Sequence, residues 1–171
     1  MTRRSRAKQK SLKGGKAAGW DTIPNEFLIN SPHALIQWLV VLFNRIKTEG
    51  VMPRGWNKGR ITLIHKTGQR EYLSNYRPIT VIISLSGLFS KILNARLTCV
   101  VEAHNLLGEI QNGFRRDRRM SDNSFILDSI LWRSKAINRP VHLCYIDVWK
   151  AYDTVCRSVL WEKLAKMGFS S

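Results

Sequence analysis

Between Ser31 and Lys66 the hydrophobic period of the chain changes, and that change restricts the fold to a mixture of helix and sheet. Leu35, Leu39, Leu42, Phe43 and Ile46 recur at a spacing of about 3.6 residues, which predicts one amphipathic helix that starts at Ser31-Pro32 and stops at Gly50. From Arg60 to Lys66 the residues Ile61, Thr62, Leu63, Ile64 and His65 run in near alternation, and Thr67-Gly68 closes the run, so a short hairpin strand is expected. A polar loop from Gln69 to Asn75 leads to Tyr76-Arg77-Pro78-Ile79-Thr80, where Pro78 disfavours a helical conformation at Arg77 and keeps it extended.

The same reading continues to the end of the chain. Ser86 is placed to cap a helix with Leu88, Phe89, Ile92, Leu93, Leu97, Val100 and Val101 inward. A third helix is expected from about Asp122 to Ala136. Val141, Leu143, Tyr145 and Ile146 predict a strand that ends at Asp147 and passes into a helix with Tyr152, Val155, Val159, Leu160 and Leu164 inward, stopped by Gly168. The expected class is α+β, helix-rich, with one hairpin and one further strand followed by a helix.

Composition narrows the partner more than the fold. With 171 residues, 44% of them hydrophobic, one compact folding unit is the starting expectation. A formal charge of +16 points to a polyanion, and nucleic acid fits best because Lys and Arg on phosphates release condensed counterions. A ribosomal-type protein or a membrane-surface binder would give the same number. Met1 to Lys16 carries seven basic residues and no acid, so residues 1–16 read as a disordered basic arm, with order beginning near Ala17. Gln111-Asn112-Gly113-Phe114-Arg115-Arg116-Asp117-Arg118-Arg119 is the most basic stretch of the ordered chain.

No apolar run reaches the roughly 20 residues of a membrane span, and the start lacks the apolar core of a signal peptide. Cys99, Cys144 and Cys156 have no metal-finger spacing, which leads us to expect no zinc and a reduced, intracellular setting in nucleus or cytoplasm.

Three sets of residues could carry chemistry. A carboxylate at Asp147, where an apolar strand gives way to a helix, could hold a hard divalent cation or simply serve the turn. Asp153, in the first turn of the following helix, reads as a dipole partner. Tyr152, five positions on from Asp147, could present a flat face to the same cleft or pack in the core. Arg60, Lys66 and Arg77 have the guanidinium and ammonium groups that suit phosphate oxygens, although surface solvation accounts for each equally well.

The order and wording of five segments resemble a LINE-type, non-LTR retrotransposon reverse transcriptase. They are Gly19-Trp20-Asp21-Thr22-Ile23-Pro24, Gly59-Arg60-Ile61-Thr62-Leu63-Ile64-His65-Lys66, Asn75-Tyr76-Arg77-Pro78-Ile79-Thr80, Gln111-Asn112-Gly113-Phe114-Arg115 and Ile146-Asp147-Val148-Trp149-Lys150-Ala151-Tyr152-Asp153. The likeness runs from about Lys16 to Gly168 and departs at His65, where a proline is common, and at Met120.

The resemblance implies a partial right-hand polymerase, with fingers and their connection over residues 17–140 and the start of the palm over 141–171. It implies RNA-directed DNA synthesis by a two-metal mechanism on an RNA template and a DNA primer. Asp147 would be the catalytic carboxylate and a ligand, with the Val148 carbonyl, to magnesium, manganese being the alternative. Arg60, Lys66 and Arg77 would hold the incoming deoxynucleoside triphosphate, and Tyr152 would exclude a 2′-hydroxyl. Gln111, Gly113, Phe114, Arg115 and Arg118 would touch the template or primer.

The sequence ends before the family's paired aspartates, so the expectation is a fragment inactive in isolation. The rival class is a non-catalytic RNA- or DNA-binding module. A group II intron maturase, an RNA-dependent RNA polymerase and a decayed product without a stable fold are the remaining alternatives.

Overall fold

The computed structural model describes Gln9 and residues 11–169. It divides into two compact units, Met1–Leu97 and Thr98–Ser171, where composition alone suggested one.

The first unit begins earlier than expected. Leu12 is buried in the hydrophobic core, and Gln9 donates its side-chain amide to the Leu28 carbonyl and to Ser31 Oγ. An apolar residue that reaches the core removes one end of the basic arm from solvent, so the boundary at Ala17 is corrected. Residues 1–8 and Lys10 lie outside the described residues.

Helix α1, Asn25–Ile29, leads into α2, His33–Glu49. Ile36, Leu39, Val40, Phe43 and Ile46 form the buried stripe of α2, and Gly50, at φ 66°, returns its N–H to the Ile46 carbonyl and ends the helix. Ser31 does not cap α2; its hydroxyl donates backward to the Leu28 carbonyl at 2.8 Å.

The hairpin forms as the alternation predicts. Strand β1, Gly59–His65, pairs antiparallel with β2, Tyr76–Ile82, with Ile64 opposite Arg77 and Arg60 opposite Val81. A single 3₁₀ turn, Leu73–Asn75, precedes β2, and Lys66 N–H extends the ladder to the Asn75 carbonyl at 2.8 Å.

Helix α3, Ser84–Ala103, starts two residues before the expected cap at Ser86. Ser84 is already anchored, its hydroxyl donating to the Ile23 carbonyl at 2.8 Å. Leu88, Phe89 and Ile92 are buried, whereas Leu93, Leu97 and Val100 are exposed, so the expected stripe is realised only in its first half. The core is centred on Phe43, fully buried, with Trp56 and Phe89 at ring-centroid distances of 6.2 and 5.2 Å. Such tilted and edge-on pairs add to the burial of about 1.5–3 kcal/mol per large apolar side chain.

In the second unit, α4 spans Met120–Ala136. Asp122 Oδ2 accepts the Arg119 backbone N–H at 2.9 Å, the acidic first-turn partner that a helix start favours.

The strand expected over Val141–Ile146 does not form. Residues 139–148 carry no regular structure, because a strand's N–H and C=O groups need a neighbouring strand, and the described residues supply none there. The single expected helix is two, α5, Ala151–Thr154, and α6, Arg157–Lys166. Thr154 Oγ1 donates to the Lys150 and Ala151 carbonyls, competing with the next helical turn, and Val155 is extended.

Helix α6 does end at Gly168, where Gly168 and Phe169 N–H groups reach the Ala165 and Leu164 carbonyls. Tyr152, Val155, Val159 and Leu160, expected inward, are exposed.

Candidate nucleic-acid interface

The hairpin register decides which of the three basic residues act together. Directly paired residues share a face, so Arg60, Thr62, Ile64, Arg77, Ile79 and Val81 stand on one side, and Lys66, two residues past Ile64, continues it. Lys66 and Arg77 are diagonal neighbours about 7–8 Å apart. Both are exposed, and no carboxylate pairs with either of them among the described residues. Two cations so placed offer a charge pair matched to adjacent phosphate groups.

Arg60 lies four residues further along, roughly 13 Å away. Its Nη2 donates to the Ala18 carbonyl at 2.6 Å and to the Gly19 carbonyl at 2.8 Å. One nitrogen of Arg60 thus holds the segment before α1 against the base of the hairpin, while the residue stays exposed.

The same base contains Trp20, whose indole N–H donates to the Gly55 carbonyl at 3.0 Å, with Lys58 Nζ 5.9 Å from its ring centroid. Gly19 packs so closely that a Cβ would stand 2.7 Å from the Ile83 backbone. At Gly55, φ is 90° and a Cβ would meet Trp20 Cζ2 at 2.6 Å. Sequence reasoning saw Gly19 and Trp20 as a turn and missed Gly55, whose signal was the Pro53-Arg54-Gly55-Trp56 turn composition.

The basic loop of the second unit is built on two internal ion pairs. Arg115 Nε and Nη2 donate to the two carboxylate oxygens of Glu102 at 3.2 and 2.7 Å, and its side chain is only 6% exposed. Arg118 donates to Glu109 Oε2 at 2.7 Å and to Asn112 Oδ1 at 3.1 Å. Those guanidinium groups hold the carboxyls of Glu102 and Glu109 below the usual carboxylate range, and Glu102 in turn pushes the Arg115 value up.

Gln111 donates its side-chain amide to the Gly113 carbonyl, and Asn112 donates to Asn123. Phe114, in the middle of this network, is 95% exposed at φ 62°.

Asp147 and Val148 lie in the irregular segment, exposed, and Tyr152, on α5, is 83% exposed. Lys150 is left-handed at φ 46°, and its Nζ stands 4.6 Å from the centroid of the Trp149 ring. Asp147 and the Val148 carbonyl could supply two oxygens to a magnesium ion, which usually keeps several waters and takes further oxygens from substrate phosphates. Among the described residues no three His, Cys, Asp or Glu side chains lie together as a metal cage. The residues present could hold part of the oxygen shell of the metal that the resemblance implies.

Comparison with known proteins decides the kinship. The chain is 35% identical over 119 residues to the "Retrovirus-related Pol polyprotein from type-1 retrotransposable element R2" of Popillia japonica, covering 70% of this chain and 16% of that protein. It is 28% identical over 159 residues to the "Probable RNA-directed DNA polymerase from transposon BS" of Drosophila melanogaster, covering 92% of this chain and 18% of the relative. With the "RNA-directed DNA polymerase from mobile element jockey" of Drosophila melanogaster it shares 27% identity over 159 residues, covering 89% of this chain and 17% of the relative.

The chain belongs to the non-LTR retrotransposon reverse transcriptases. No family model matches it. As a reverse-transcriptase sequence it spans 16 to 18% of the length of these relatives. Among the described residues no helix is long and apolar enough to cross a membrane.

Proposed function

We propose that this chain is the fingers and the opening palm segment of an RNA-directed DNA polymerase of a non-LTR retrotransposon. The observation that carries this reading is the diagonal pairing of Lys66 and Arg77 on one hairpin face, in a sequence related to proteins named as RNA-directed DNA polymerases. In this reading Lys66 and Arg77 bind the phosphates of an incoming deoxynucleoside triphosphate, while Arg60 sets the hairpin base and touches no substrate.

Tyr152 presents its ring to the sugar and disfavours a 2′-hydroxyl. Asp147 is one carboxylate of a magnesium or manganese site of the two-metal class, with the Val148 carbonyl beside it. Among the described residues no three acids gather at Asp147, and in this reading the 171-residue chain makes no DNA by itself. An RNA template and a DNA primer are the partners, and the +16 charge supports affinity for both.

Two measurements test the reading. The 171-residue protein, offered a primer on an RNA template with magnesium, is expected to give no extension; Asp147-dependent synthesis would overturn the claim of inactivity. Titration of the same primer–template is expected to give an affinity that falls steeply with salt.

The absence of a three-acid cluster among the described residues favours one second reading, a non-catalytic RNA- or DNA-binding module. Replacing the matching segment of the jockey polymerase with this chain separates the two: RNA-templated synthesis abolished by Asp147→Ala supports the polymerase reading. A chimera that binds primer–template but makes no DNA supports the binding module.

A further inference from the structure

We infer that Phe114 is a stacking platform for an unpaired nucleobase of a single-stranded segment of the bound RNA. This rests on the nucleic-acid reading above and adds a contact of a different chemical kind, a base face in place of a backbone phosphate.

The argument starts from what the loop leaves over. Gln111, Asn112, Arg115 and Arg118 are each bonded within the unit, the two arginines to the carboxylates of Glu102 and Glu109. Loops are usually mobile, but this one is held on both sides of a single residue.

That residue is Phe114, 95% exposed and left-handed at φ 62°. Bulky side chains avoid that region, and glycine or asparagine would occupy it at lower cost. An aromatic ring in full solvent on a strained, anchored backbone contributes nothing to the core, and such an outlier points to a function for the ring itself. Among the described residues the second unit has no buried residue, and Ile110 is as exposed as Phe114, so it is the left-handed, anchored backbone that sets this ring apart.

The surroundings select the ligand. Arg116 and Arg119 are exposed on the same loop, and Arg116 meets only its neighbour Asp117, at 3.5 Å with both side chains open to solvent. A ring that offers a flat apolar face on a loop with two exposed cations matches a base and its phosphates, because every base has a π-face and stacking tolerates any sequence. In a duplex the base faces are already stacked on one another, so the contact requires a single strand. The internal pairs of Arg115 and Arg118 place the ring; Arg116 and Arg119 meet the phosphates.

The test uses the 171-residue protein and a short single-stranded RNA with a central 2-aminopurine. Binding is expected to quench that fluorophore. Phe114→Leu is expected to weaken single-strand affinity about tenfold and abolish the quenching, with the salt dependence unchanged. Phe114→Trp is expected to retain both affinity and quenching. Arg116→Ala and Arg119→Ala are each expected to lower the salt slope by about one. Duplex RNA of the same sequence is expected to bind Phe114→Leu and the parent protein alike.

Equal affinity of Phe114→Leu and the parent for the single strand would overturn the stacking role and leave the nucleic-acid reading intact, as would an equal loss on duplex. A parent protein that binds neither RNA with any salt dependence would overturn the nucleic-acid reading, and the stacking role with it. The ring lies outside any core, so the Leu variant is expected to keep the parent's circular dichroism spectrum.

Discussion

Arg115 grips both carboxylate oxygens of Glu102 although thirteen residues separate them, which makes the basic loop a partly neutralised scaffold before any ligand arrives. The arginine count of that loop overstates the charge available to a polyanion.

A pH dependence follows from the lowered carboxyl of Glu102. A group whose folded value is depressed contributes its stabilisation above the ordinary carboxylate value, 4.5 here, and loses it as pH falls through the lowered one. Amide exchange over residues 108–118, corrected for intrinsic rates, is expected to show protection that is constant down to about pH 5 and falls below it. Glu102→Gln is expected to reduce that dependence to the part carried by Glu109 and to leave the loop less protected at neutral pH.

The base of the hairpin yields a second prediction. Gly55→Ala would force a Cβ to 2.6 Å from Trp20 and place alanine at φ 90°, so a loss of stability of roughly 1–3 kcal/mol is expected. Urea denaturation should show a lower midpoint with an unchanged slope. An unchanged midpoint would mean that the indole moves aside freely.

Truncating the core residue with no exposure gives the third. Phe43→Ala removes the ring shared by Trp56 and Phe89 and is expected to cost about 3–5 kcal/mol. The amides of α2 and of the buried start of α3 should lose protection together. Loss confined to α2 would contradict a shared core.

The three basic residues of the hairpin should separate into two phenotypes. Lys66→Ala and Arg77→Ala are each expected to weaken binding of a labelled deoxynucleoside triphosphate about tenfold, as removal of a charge-assisted contact does. Arg60→Ala is expected to lower the melting temperature and leave that affinity within about twofold of the parent. A tenfold loss of triphosphate affinity in Arg60→Ala would return Arg60 to the binding group.

Features written in local periodicity were legible in the sequence. The apolar residues of α2, its glycine stop, and the alternation of β1 beside the extended Arg77 all follow from residues within one turn or one strand. What could not be read depends on partners distant in sequence. The carbonyls that occupy Arg60 lie 41 and 42 residues upstream, and nothing in Ala18 or Gly19 announces them. The segment from Val141 to Ile146 has strand-forming residues but no neighbouring strand among the described residues, so local preference had nothing to pair with. Five ordered motifs marked the family, yet motif wording could not tell Arg115, turned inward, from Arg116, turned to solvent.

The clamp at Arg60 also has a mechanical meaning. A ribbon of seven residues projects about 23 Å from an anchored end, so it behaves as a lever whose fulcrum is the pair of carbonyls at Ala18 and Gly19. A rotation of about 10° at that fulcrum sweeps the Lys66 end through about 4 Å, the difference between a formed hydrogen bond and a broken one.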